Sequence, residues 1–153
     1  GNFCPSDPVT RAQSSVFLLR SLEGSTYEPP PATGTVFADV PADAFAAAWI
    51  EELADRGITA GCAPMLFCPG AEVSRAQAAV LNLRTKNGDT YQPPPATGTM
   101  FVDVPVSHFA AAWIEEFARQ GYTAGCAPNF YCPEQAVTRA QMAVFLAAVF
   151  ALF

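Results

Sequence analysis

One pattern constrains this chain more than any other. Val9-Thr10-Arg11-Ala12-Gln13 returns as Val73-Ser74-Arg75-Ala76-Gln77 and again as Val137-Thr138-Arg139-Ala140-Gln141, a period of 64 residues. Phe37-Ala38-Asp39-Val40-Pro41 returns as Phe101-Val102-Asp103-Val104-Pro105, and the stretch from Ala46 to Glu52 returns unchanged from Ala110 to Glu116. A fixed period of this kind marks an array, whose units cannot bury their apolar faces alone and must share a core with neighbours. Whatever surface the units repeat is where function is to be sought.

Composition narrows the function classes. With 51% hydrophobic residues in 153, the chain has material for a sizeable core. Its net charge of −6, with only eight Lys plus Arg, gives no broad positive field, so nucleic acid is not an expected partner. The most apolar stretch, Met142 to Phe153, is far shorter than the roughly 20 residues that span a bilayer, and reads as a buried helix. No transmembrane span is expected.

Gly1 enters in the middle of a repeat, which reads as the C-terminal piece of something longer. The cysteines agree with that register. Cys62 and Cys68 are separated by five residues, as are Cys126 and Cys132, while Cys4 falls on the register of Cys68 and Cys132 and would have its partner before the first residue. One short disulfide loop per unit, in an oxidising compartment, is the natural reading. A four-cysteine zinc site is the competing one, although the spacing is not the short Cys-x2-Cys knuckle.

Within each unit, a linker carrying Pro29 to Pro31 or Pro93 to Pro95 is expected to be semi-rigid polyproline II. After Pro41 or Pro105, Asp43 or Ser107 offers an N-cap, and a helix should bury Phe45, Trp49, Ile50 and Leu53, or Phe109, Trp113, Ile114 and Phe117. Glu51, Glu52, Glu115 and Glu116 read as a solvated face, and Gly57 and Gly121 as C′ residues. The second helix opens at Thr10, Ser74 or Thr138 with a capping box closed by the Gln three residues on. The expected fold is mostly α, built of tandem helix-pair repeats with short extended segments and cystine loops. The expected boundaries are a half unit at 1–24, a linker at 25–35, a unit at 36–88, a second linker at 89–99 and a C-terminal unit at 100–153.

Arg11, Arg75 and Arg139 stand at the first position of their helices, where the macrodipole disfavours a cation. Two explanations stay open. Each arginine forms a structural ion pair with Asp39, Asp103 or a neighbouring Glu, or each joins the free helix amides in gripping a carboxylate or phosphate. Trp49 and Trp113 are core residues or stack on a sugar ring. His108 replaces Ala44 of the other unit and reads as a first-turn surface residue. No Ser-His-Asp order, Cys-His pair, phosphate-binding glycine loop or metal-ligand cluster occurs, so catalysis, cofactor and metal are not expected.

In order, Phe-x-Asp-Val-Pro, Ala-Ala-Trp-Ile-Glu, Gly-Ile-Thr-Ala-Gly, Phe-Cys-Pro and Val-Ser-Arg-Ala-Gln resemble the S-layer homology module over nearly the entire chain. The resemblance implies a noncatalytic module that holds exported proteins at the cell surface or in the surface layer, with copies arranged as a pseudo-threefold bundle. It implies binding of an anionic cell-envelope polysaccharide, including pyruvylated ones, in grooves between copies. Ligand-binding positions carried over by it are Arg11, Arg75, Arg139, Trp49, Trp113, Asp39 and Asp103, together with Gly57, Thr59 and Gly61 and their counterparts Gly121, Thr123 and Gly125. Gln13, Gln77 and Gln141 stand where the family usually has an acid. The cystines and proline-rich linkers are additions to the family pattern. The alternative reading is a structural module that packs against other subunits of a surface assembly without binding glycan.

Overall fold

The computed structural model describes residues 1–152; Phe153, the last residue of the expected C-terminal unit, lies outside them. Five helices follow in order: α1 (Arg11–Glu23), α2 (Ala47–Asp55), α3 (Arg75–Asn87), α4 (Ala111–Arg119) and α5 (Arg139–Phe150). Among the described residues there is no strand, only isolated bridges. Helices α1, α3 and α5 contact one another pairwise, α2 packs on α1, and α4 packs on α3.

The three long helices start alike because their first turns are satisfied in the same way. Thr10, Ser74 and Thr138 each accept from the amide of the Gln three residues on, whose side chain accepts from the capping residue's own amide. Just before these caps, Val9, Val73 and Val137 are fully buried and close a ring of backbone hydrogen bonds. The Val9 amide donates to Val137 (2.9 Å), that of Val73 to Val9 (2.9 Å), and that of Val137 to Val73 (2.8 Å). The extended segments therefore serve as a hub at one end of α1, α3 and α5.

Helices α2 and α4 start later than the sequence suggests. Ala46 and Ala110 occupy their N-caps without a side-chain bond. Asp43 and Ser107 instead lie in successive turns, in which the Ala44 amide donates to Pro41 and that of Ala47 to Ala44, while the amides of His108 and Ala111 donate to Pro105 and His108. The turns throw Phe45 and Phe109 outward, 69% and 68% exposed, which corrects their expected place in the core. Trp49, Ile50, Leu53, Trp113, Ile114 and Phe117 are buried as expected. Helix α2 ends in a Schellman motif, with the Gly57 amide bonded to Ala54 and that of Ile58 to Leu53, and Gly57 takes the left-handed φ of 68° that this motif requires.

The glutamates are a second correction. Glu115 and Glu116 are 2% and 8% exposed, and Glu51 and Glu52 are half-buried. Proline-rich linkers have few amides, but those they have need acceptors. Glu51 accepts from the amides of Thr33 and Gly34, both at 2.7 Å, and Glu115 from those of Thr97 and Gly98, at 2.8 and 2.7 Å. These carboxylates clamp the linkers onto α2 and α4. Met142, Phe145, Leu146 and Val149 bury one face of α5, whereas Val144 is 64% exposed, so this helix is buried on one face only.

Candidate functional site

Disulfides Cys62–Cys68 and Cys126–Cys132 form, each with Cα atoms 6.0 Å apart, and this answers the zinc alternative for those four residues. Cys4 is an exposed thiol. Each cystine closes a loop held from inside by an aspartate. Asp39 accepts from the amides of Phe67 (2.8 Å) and Cys68 (2.7 Å), and Asp103 from those of Tyr131 (2.9 Å) and Cys132 (2.7 Å). Burial pushes the Asp39 carboxyl up, but these amides and the nearby Arg11 outweigh it and leave its pKa below the ordinary value.

The helix-start arginines do not form the ion pairs considered from the sequence: among the described residues none has a carboxylate within 4 Å. Instead each donates through Nε to a loop carbonyl, Arg11 to Phe67 (2.7 Å), Arg75 to Tyr131 (2.8 Å) and Arg139 to Phe3 (2.7 Å). Their guanidinium groups lie over the rings of the same residues, at 4.7, 4.8 and 5.1 Å. Arg11 and Arg75 are buried, and burial lowers the Arg11 pKa despite the attraction of Asp39. The helix amides are not free either. Those of Arg11 and Ala12 donate to Ala71 and Pro69, those of Arg75 and Ala76 to Gln135 and Pro133, and those of Arg139 and Ala140 to Asp7 and Pro5. A joint grip by arginine and open helix amides is thereby corrected: a neighbouring loop already takes them.

A cavity of about 230 Å³ lies where the loop Ile58 to Gly61 meets α3. It gathers Arg11, Thr59 and Gly61 of the expected set and adds Gln77, Arg84 and Phe109. Among the described residues no carboxylate lines it. Thr59 Oγ1 accepts from the Gly61 amide at 3.2 Å, and a Cβ at Gly61 would stand 2.2 Å from the Leu66 carbonyl oxygen, so only glycine lets this loop turn so tightly. Thr123 and Gly125 repeat the bond at 3.1 Å without lining this cavity. Gly57 and Gly121 end their helices outside it. Trp49 and Trp113 are each 8% exposed, edge-on to Tyr27 and Tyr91, and lie under Arg20 and Arg84 at 5.0 and 5.1 Å. Neither lines the cavity; Trp113 underlies Arg84, which does, and Trp49 underlies Arg20, which does not. His108 is also more than a surface residue, since its Nδ1 accepts from the Ala110 amide and its Nε2 meets Glu134 at 3.0 Å.

With this geometry in place, comparison with protein families matches residues 36–79 to the S-layer homology domain. The matched stretch is 44 of the 153 residues, and over it the chain is similar to that domain. The matched stretch runs through α2, the cystine loop and the start of α3, and so contains Thr59, Gly61 and Gln77 of the cavity. S-layer homology domains in general are noncatalytic modules that anchor proteins to cell-wall polymers at the cell surface or in the surface layer. Comparison with curated proteins gives no match. No described helix is long and apolar enough to cross a membrane.

Sequence reasoning missed Arg84, Phe109 and the clamping role of Glu51 and Glu115. The arginine had a visible signal, because the tenth residue of the three long helices is Arg20, Arg84 and Ala148. The phenylalanine had none, because helical periodicity assigned it to the core.

Proposed function

We propose that this chain is a noncatalytic anchoring module that binds an anionic cell-envelope polysaccharide, pyruvylated polymers included, in a groove between repeat units. The units run over 36–88 and 100–153, with a half unit at 1–24 and linkers at 25–35 and 89–99, and are arranged about a pseudo-threefold axis through the valine hub. The observation that carries this reading is the cavity beside the matched stretch: in a protein of net charge −6, no carboxylate among the described residues lines it, while Arg11 and Arg84 stand on its wall. Such a wall favours an anion, and the volume suits a single sugar residue better than a larger ligand. Thr59 and Gly61 shape its floor, and Phe109 offers an apolar face to the ring of a saccharide.

The test is co-sedimentation of the full chain with wall polysaccharide, before and after chemical reduction of the polymer's carboxyl groups. Sedimentation with the native polymer and release after reduction is the expected result. Equal sedimentation with both polymers would remove the anionic requirement, and sedimentation with neither would overturn the anchoring function.

A further inference from the structure

Seven of the eight cationic side chains have an acceptor within the protein. Arg11, Arg75 and Arg139 bond loop carbonyls; Arg20, Arg56 and Arg119 bond carboxylates; Lys86 bonds the Tyr122 hydroxyl. Arg84 is the exception. Its Nε is buried without a hydrogen-bond partner, no carboxylate stands within 4 Å among the described residues, and the side chain lies on the wall of the 230 Å³ cavity.

The reason lies in one difference between units. Arg20 is paired with Glu28 at 2.9 Å, but 64 residues later the residue corresponding to Glu28 is Gln92, an amide that cannot neutralise Arg84. At the third corresponding place, Ala148 removes the cation altogether. Arg20 also borders a cavity, of about 340 Å³, yet its charge is already spent on Glu28. Only one of three corresponding positions thus presents an uncompensated guanidinium to a cavity. A guanidinium so placed, over the Trp113 ring at 5.1 Å, has donors of the kind that bind a carboxylate through two parallel hydrogen bonds.

Building on the polysaccharide reading above, we propose that Arg84, rather than the helix-start arginines, is the anion-holding and specificity-determining residue of the groove. Its ligand is a carboxylate-bearing sugar residue, and the chain takes one per molecule. A uronic acid and a pyruvate ketal on a hexose share that chemistry.

The two tryptophans provide the readout, since Trp113 lies under Arg84 and Trp49 under Arg20. The ¹⁵N-labelled full chain is titrated with sodium glucuronate, with a hexose pyruvate ketal and with neutral glucose, following both indole N–H signals. A shift of Trp113 alone, by one or both carboxylated probes and not by glucose, is expected, and the probe that acts identifies the source of the carboxylate. Arg84→Gln should weaken binding about tenfold or more, the size of a lost charge-assisted hydrogen bond, while Arg20→Gln should leave it unchanged. Gln92→Glu, which keeps Arg84 but supplies a competing carboxylate, should weaken it as well and guards against a folding defect in the first variant. No Trp113 shift with either acid, an equal shift with glucose, or undiminished binding by Arg84→Gln would overturn the assignment. If Arg84→Gln still sediments with wall polysaccharide as the native chain does, the anchoring function stands and the role of Arg84 falls.

Discussion

The α1–α2 and α3–α4 pairs are near copies that differ where it matters. Both have a capped long helix, a linker clamped by a glutamate, and a tryptophan under an arginine ten residues into the helix. In the first pair that arginine is held by Glu28; in the second, Gln92 leaves it unneutralised beside a cavity that no acid among the described residues lines. Repetition here maintains the scaffold, and the departure from repetition creates the candidate site. Each helix-start arginine, by contrast, is tied through Nε to a loop carbonyl and lies over the ring of the same residue.

The largest effect that would break this division concerns Arg75. Arg75→Ala removes a buried bond to the Tyr131 carbonyl and two ring contacts, and should cost about 3 kcal/mol in chemical denaturation. Arg84→Ala should cost about 1 kcal/mol or less, having no hydrogen bond to lose. Equal losses would erase the distinction between a structural and a ligand-holding arginine.

Next in size are the cystines. Replacing Cys62 and Cys68 together by Ser should cost about 2 kcal/mol, as should replacing Cys126 and Cys132, since the two loops have the same length. Only the first replacement should also weaken saccharide binding, because only its loop adjoins the Arg84 cavity; a titration of both variants checks this.

Acid should loosen both linkers together. Burial pushes the Glu51 and Glu115 carboxyls up, but the Thr33, Gly34, Thr97 and Gly98 amides outweigh it and hold both below the ordinary value of 4.5. A depressed folded-state pKa gives stability that is complete above the unfolded value and is lost as pH falls through the folded one. The melting temperature should therefore fall as pH drops below 4.5, and less steeply in Glu51→Gln and Glu115→Gln variants. An unchanged slope would remove the clamps from the account.

The smallest stability effect should come from the substitution that sharpens the comparison most. Gln92→Glu adds an exposed ion pair, so it should change unfolding free energy by less than about 1 kcal/mol while weakening saccharide binding. A large stability gain would show that position 92 serves the scaffold instead.

Much of the scaffold was legible because local rules and repetition agreed. The capping boxes at Thr10, Ser74 and Thr138 follow from residues three apart, and the cystines from matching intervals. Phe45 and Phe109 were misjudged because helical spacing was carried back over residues that form turns. Glu51 and Glu115 were misjudged because their partners are amides 17 and 18 residues away, a long-range relation that no local pattern encodes. Of the residues that line the cavity, Arg11, Thr59 and Gly61 had been singled out from the sequence, whereas Arg84 required comparing the units where they differ, at Glu28 and Gln92, rather than where they agree.

The most direct test of the central claim is the stoichiometry of a carboxylated monosaccharide bound to the full chain, measured by calorimetric titration. One saccharide per chain, bound about tenfold or more weakly by Arg84→Gln, is the predicted result. Two equivalent sites, or one whose affinity that substitution leaves undiminished, would contradict it and return the binding role to the residues that repeat.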